Sequence, residues 1–365
     1  MVLKYILLFA FVLVGASCQS TKTKNSKLTN EPAHLDPYVF AKELNATHII
    51  IGCEISDLNG EIIRKILGEY CVIKDNGHTI VMRDKTLTYF DEKFDVIWQL
   101  RPYYFQHALE SSDLNDEILT VTSVYEKHPD YRHLRYDELV VFNSKGKIKK
   151  SFSFKKYLEK NSTHKDAILN SWTNDEYVNH SYERTHVNSF SQTYETKNSE
   201  RIHTGYVSHC NAQRKIYLFD KDLKKVLLAI DTGKRTLHDV RQHTENELVL
   251  YLNENSSDPA PRYSSIEVYD LKERKFKYYY ENKNFDLTSK ACSSVHSFPE
   301  QKRLLIGHSK CVLRPDTKDV RGNLFIEFVD LLSKKSKVLL FTSKWSPHHA
   351  RLVNASAYLV NNIGQ

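Results

Sequence analysis

The chain carries no apolar run at its start long enough to cross a bilayer. The stretch at residues 5–14 is half the ~20 residues that a spanning helix needs. It has no dense block of Lys and Arg interleaved with aromatics, so nucleic acid is not an expected partner. No CxxC pair and no Cys/His spacing of the structural-zinc kind occurs. Helical periodicity is scarce, confined to residues 37–44, 154–169 and 171–177. Methionine is nearly missing, at 2 residues, while Tyr (22) and Phe (17) are plentiful and fit pleated, half-buried strands. These shortages exclude a helical bundle, a zinc module and a nucleic-acid binder. The net charge of +7 is a mild excess that favours anionic ligands only where a cleft focuses it.

The first residues read as an export signal: Lys4, then the apolar run, then small residues. Gly15-Ala16-Ser17-Cys18 is similar to a bacterial lipobox, in which Cys18 becomes the lipidated first residue of the mature protein; ordinary cleavage at Ala16 or Ser17 is the other reading. Gln19 after the cysteine points to the outer membrane. The resulting division is a signal peptide at residues 1–17, a flexible tether at 18–38 and one folded domain at 39–365. The expected location is the periplasm, with the membrane as a partner through the lipid. An exported protein meets an oxidising space. Setting Cys18 aside leaves Cys53, Cys71, Cys210, Cys292 and Cys311, an odd number, hence at least one free thiol. Cys292 and Cys311 lie near opposite ends of a predicted hairpin, so a bond between them and two buried thiols are both open.

What is present is strand. Segments such as 79–82, 138–142, 215–219, 247–251, 265–269 and 323–328 are short, β-branched and aromatic, and bounded by Asn, Asp, Gly or Lys-rich turns. They recur with a period of about 50–60 residues, four antiparallel strands to a unit. The spacing predicts units starting near His107, His186, His238 and His296, and an earlier one over residues 70–100. The final unit is cut short. Strands at 348–352 and 357–361 are expected to join strands at 47–55 and 61–67 in one shared blade, which closes the ring and leaves no open edges. The fold class is therefore all-β: a six-bladed β-propeller whose two chain ends share a blade.

Histidine starts the first strand of most units: His107, His186, His238, His296 and the pair His348-His349. The chain has 17 His, and any single one is by default a satisfied polar residue near a loop. The shared phase is what raises the group, because first strands line the axis. Imidazoles gathered there can act as acid/base, as nucleophile or as metal ligands.

These residues carry a resemblance. The chain resembles the bacterial arylsulfotransferase family over roughly residues 94–313. The family's His-x-Asn-Ser motif is matched by His186-Val187-Asn188-Ser189, its later His-Asp blade start by His238-Asp239, and its early histidine by Gln106-His107. A third-strand start is matched at Tyr263-Ser264-Ser265-Ile266. The family's Ser-Arg step, whose Arg binds the transferring group, is here Ser208-His209, a departure that trades a guanidinium for an imidazole. The resemblance implies a six-bladed propeller that moves a sulfuryl group from a phenolic sulfate to a phenol without a nucleotide donor, cofactor or catalytic metal. It implies His238 as the nucleophile, His107 or His186 as acid/base, and His209, Asn188 and Asp239 at the substrate, His209 offsetting anionic charge if protonated. Two alternatives stand beside it: a propeller without catalysis that binds an anionic or aromatic ligand, and a metal-dependent enzyme using the histidines.

Overall fold

The middle strands of this chain are apolar on both faces, which suits sheets packed between two neighbours. In β18 (Glu247–Leu252), Leu248 and Leu250 pack toward the preceding sheet while Val249 and Tyr251 pack toward the following one. The computed structural model describes residues 35–353, apart from positions 45, 75, 84, 102, 113–114, 128, 130–132, 162–180, 234–236, 254–263, 282–292, 310–321 and 344–349.

The described strands form six antiparallel sheets, each a blade. Blade 1 holds β1 (His48–Ile51), β2 (Glu54–Ser56) and β3 (Ile62–Lys65) together with the late strand β25 (Ala350–Val353). Blade 2 holds β4 (Tyr70–Ile73), β5 (Thr79–Arg83), β6 (Thr86–Phe90) and β7 (Val96–Leu100). Blade 3 holds β8 (Phe105–Ser112), β9 (Glu117–Lys127), β10 (His133–Asn143) and β11 (Ile148–Ser153), and β12 (Ser181–Glu183) adds to it in parallel beside β10. Blade 4 holds β13 (Val187–Lys197), β14 (Glu200–Cys210), β15 (Lys215–Asp220) and β16 (Val226–Asp231). Blade 5 holds β17 (Leu237–Thr244), β18, β19 (Ser265–Asp270) and β20 (Lys275–Glu281). Blade 6 holds β21 (Ser294–Phe298), β22 (Arg303–Ser309), β23 (Gly322–Asp330) and β24 (Lys335–Ser343).

A separate apolar cluster fills each of the six seams between neighbouring blades. Each buried Leu, Ile, Val or Phe there is worth roughly 1.5–3 kcal/mol relative to exposure. Helix α1 (Pro37–Glu43) starts where Asp36 accepts from the Tyr38 N–H at 2.9 Å and Pro occupies the first turn. It buries Phe40 and Ala41 in the seam between blades 6 and 1. Helix α2 (Phe154–Lys160) is the described part of the helical segment expected from residue 154; the segment at 171–177 lies outside the described residues.

The ring closes as expected, but with a different division of labour. β25 pairs antiparallel with β1, with Ile50 opposite Arg351. The N-terminal stretch supplies three strands, not two. Gly52 at φ +56° turns the chain back, splitting residues 47–55 into a hairpin. The C-terminal stretch supplies one described strand, and the second one expected at 357–361 lies outside the described residues.

The innermost strand of each blade turns one edge toward the axis, where its N–H groups need acceptors. In blade 2 the Gly52 carbonyl of blade 1 accepts from Cys71 N (3.1 Å), and in four other blades a side chain of the preceding blade is the acceptor. Asp137 Oδ2 accepts from Val187 N (2.7 Å), Ser189 Oγ from Val240 N (3.2 Å), Asp239 Oδ2 from Val295 N (3.0 Å) and Ser294 Oγ from Ala350 N (3.1 Å). A disulfide joins Cys53 of blade 1 to Cys71 of blade 2, with Cα atoms 4.9 Å apart. Cys210 is a buried free thiol, and Cys292 and Cys311 lie outside the described residues.

Candidate functional site

β10 is longer than its neighbours need. Its second half pairs with β11, and its first half pairs with β12, which sets Glu183 beside Arg135. Alternation along β10 puts His133, Arg135 and Asp137 on one face. The Arg135 guanidinium reaches Glu183 Oε1 at 2.5 Å and Asp137 Oδ1 at 3.5 Å. Three residues after Glu183 comes His186, just before β13. Its Nδ1 lies 2.7 Å from Glu183 Oε2 and 3.4 Å from an Arg135 Nη2. A Glu183 carboxylate accepting from Nδ1–H fixes the ring and makes Nε2 the nitrogen at which a proton is gained or lost. His186 is 25% exposed, the only one of the three clustered histidines open to solvent.

His209 sits in β14 opposite Ser189 and faces blade 5, as Val207 does two residues earlier. It is fully buried, and neither ring nitrogen has a hydrogen-bond partner among the described residues. His238, second residue of β17, is buried too. Its Nδ1 lies 2.8 Å from the Ser293 carbonyl and 3.3 Å from the Ser293 N–H; the shorter contact makes Nδ1 the donor and places the lone pair on Nε2.

The three rings are electrostatic neighbours. Burial, then the proximity of His238 and His186, pushes His209 down to about 3. Burial pushes His238 down to about 4, the Ser293 carbonyl opposing and His186 adding to the shift. Burial alone would raise the Glu183 carboxyl; His186 and Arg135 outweigh it and hold it below the usual range. Asp137, wholly buried, is raised by burial against the pull of Arg135 and His186. At neutral pH the site thus contains two uncharged imidazoles, a His–Glu pair and a guanidinium.

Of the residues expected from sequence, His186, His209 and His238 come together. His209 is uncharged at neutral pH, so it supplies no cation for an anionic group. Asn188 donates to the Leu237 carbonyl at 3.1 Å and Asp239 accepts from Val295 N and Arg241, so both join blades 4 to 5 and 5 to 6. His107 falls in β8 with its side chain outside the described residues, and His348, His349 and Cys18 lie outside them altogether. His296 is the third residue of β21. Arg135, Glu183 and Asp137 were not expected. The alternation His133-x-Arg135-x-Asp137 within a strand-like segment was the signal available for two of them. Among the described residues, no group of three or more His, Cys, Asp or Glu side chains is arranged to hold a metal ion.

Further along the axis a charged layer crosses the channel. Arg241 of β17 and Arg351 of β25 both reach Glu110 Oε1 of β8, at 2.5 and 2.6 Å, and Arg241 Nε reaches Asp239 Oδ2 at 2.9 Å. Innermost strands of three blades are tied by it.

No protein-family model matches this chain, and no curated protein matches it. Among solved structures it is similar to a protein of unknown function from Bacteroides caccae, at 10% identity and a TM-score of 0.50, over 82% of this chain and 94% of that one. It is also similar to Kuenenia stuttgartiensis hydrazine synthase, at 11% identity and a TM-score of 0.41, over 75% and 66%. Likeness at these identities concerns the propeller fold alone.

Proposed function

We propose that the imidazole cluster of His186, His209 and His238 transfers a sulfuryl group from a phenolic sulfate ester to a phenol, in the manner of the bacterial arylsulfotransferases. The observation that carries this reading is the convergence of three histidines from two blades at one end of the channel, two of them held uncharged by burial. An uncharged His238 with its lone pair on Nε2 is in the nucleophilic state. Nε2 attacks sulfur, the N–S bond forms, and the S–O(aryl) bond breaks. The phenolate takes the Nε2 proton of a doubly protonated His186, whose Nδ1–H stays on Glu183, so that His186 ends this half with its lone pair on Nε2. In the second half the acceptor phenol gives its proton to His186, its oxygen bonds to sulfur, and the N–S bond breaks. Arg135, rather than His209, supplies the positive charge facing the sulfuryl oxygens. His209 contributes a neutral donor.

Arg135 already neutralises Glu183, and that observation favours a second reading. On it the histidine cluster binds an anionic or aromatic ligand without chemistry. The protein would work outside the cytoplasm, lipid-anchored through Cys18 at the outer membrane, and the Cys53–Cys71 disulfide suits such an oxidising space.

Incubation with p-nitrophenyl sulfate and phenol tests both. Transfer by the native protein, its loss by at least 10³-fold in His238→Ala, and a sulfuryl adduct on the His238 peptide by mass spectrometry support the transferase. Saturable binding of the ester with no nitrophenol release from native protein leaves the binding reading. A fully active His238→Ala rules the mechanism out.

A further inference from the structure

At the other end of β13 a cavity of about 420 Å³ opens between blades 3 and 4. Its far end, Tyr194, lies seven residues after Val187, roughly 20 Å along the strand at ~3.3 Å per residue, while Ser191 at its near end is two residues past Ser189, the strand partner of His209. Its volume suits one small molecule. Its chemistry is unlike that of the histidines. Ser111, Ser112 and Ser191 contribute hydroxyls, that of Ser191 already donating to the Val240 carbonyl (3.4 Å) and so offering an acceptor, and Gln192 an amide. Gln192 Nε2 is committed to Asn115 Oδ1 (2.9 Å) and Glu117 Oε2 (2.7 Å), so Gln192 presents an acceptor. The apolar lining is confined to Leu119 and the Tyr194 ring, too little for a greasy ligand.

Charge narrows the ligand further. The Arg201 guanidinium lies over the Tyr194 ring, 4.5 Å from its centroid, and pairs with no carboxylate among the described residues. Glu110, in the same wall, has its charge balanced by Arg241 and Arg351. Glu117, behind Gln192, is balanced by Lys149 and Lys150, which with the Tyr206 hydroxyl hold it ionised against the cost of burial. The cavity and its immediate wall therefore carry a positive surplus, with Arg201 as the unpaired member.

We propose that this cavity is a binding site for a hydroxylated carboxylate of sugar-acid type, its carboxylate forked on Arg201 and its hydroxyls shared among the serines and Gln192. Arg201 is exposed, and its guanidinium, seated over an aromatic face, can take a carboxylate in two parallel hydrogen bonds. Hydroxyl ligands need partners that both give and accept, which Ser offers. The site is separate from the proposed transfer chemistry and does not depend on it.

Calorimetric titration of the full protein with D-glucuronate, methyl glucoside and acetate tests the proposal. Glucuronate should bind saturably, and methyl glucoside and acetate each about tenfold or more weaker. Arg201→Gln should weaken glucuronate by a similar factor, Ser111→Ala by several-fold, and His238→Ala not at all. Absence of saturable glucuronate binding overturns the proposal. So does unchanged binding in Arg201→Gln, or acetate binding as tightly as glucuronate.

Discussion

A fully buried imidazole with both nitrogens unpartnered is costly, and among the described residues His209 has no partner for either nitrogen. Its Ser208-His209 step is readable in the sequence; that it stays uncharged is not, because burial by blade 5 is a tertiary property. The consequence is a pH dependence with a definite sign. His209 and His238 have folded values of about 3 and about 4, below the ordinary 6.5. Between pH ~6.5 and ~3 the unfolded chain therefore binds more protons than the folded one. Stability from these residues is complete above ~6.5 and falls as the pH drops through that window, for His238 by on the order of 3 kcal/mol. His209→Leu should flatten this fall, raising Tm at pH 5 relative to the native protein while leaving Tm at pH 7 no lower. Thermal melts across pH 4–8 check it; equal slopes in the two proteins would show that His209 is not held uncharged. If the same variant also loses transfer activity, the imidazole is retained for function at the expense of stability.

At the scale of strands, the blade pattern was legible because each strand sits between two apolar seams and is bounded by turn residues, as Glu247–Leu252 is. Three features were not. The hairpin at Gly52 lacks the Asn-Gly or Asp-Gly signal that marks a tight turn, so residues 47–55 read as one strand. The short β12 is recognisable only by its partner, because a three-residue strand has no period to detect; Glu183 went unnoticed with it. Cys53 and Cys71 belong to different blades, and spacing alone does not bring them together. The acceptor side chains that cap the inner strands were half legible, as the small polar residues at blade starts. Ser294 shows what they contribute. It is fully buried, and its hydroxyl accepts from Ala350 N, the first amide of the closing strand. Ser294→Ala leaves that N–H without its acceptor, at a cost of about 1–3 kcal/mol. Urea unfolding should show a lower midpoint with unchanged m-value. A midpoint within error of the native one would mean that Ala350 N finds another partner.

Closure of the whole ring rests on unequal fastenings. The disulfide ties blade 1 to blade 2 within the N-terminal strands, so it does nothing to retain β25, the strand that completes blade 1. β25 is held by pairing with β1, by the Ser294 cap and by Arg351, whose Nη2 reaches across the axis to Glu110 Oε1 (2.6 Å) and the Leu109 carbonyl (2.8 Å) of blade 3. The charged layer thus clamps β25 to blade 3 as well as crossing the channel. Arg351→Ala should cost about 3 kcal/mol, the low end for breaking a buried ion pair, because Glu110 keeps Arg241. The loss should also be localised. Under oxidising conditions, amide exchange in residues 350–353 and their β1 partners should accelerate, while β5 in blade 2 keeps its protection. If exchange instead rises evenly around the ring, the blades unfold as one unit and the weak point is not at the seam between blades 6 and 1. If nothing changes, the pairing with β1 suffices to close the propeller, and the charged layer serves the channel alone.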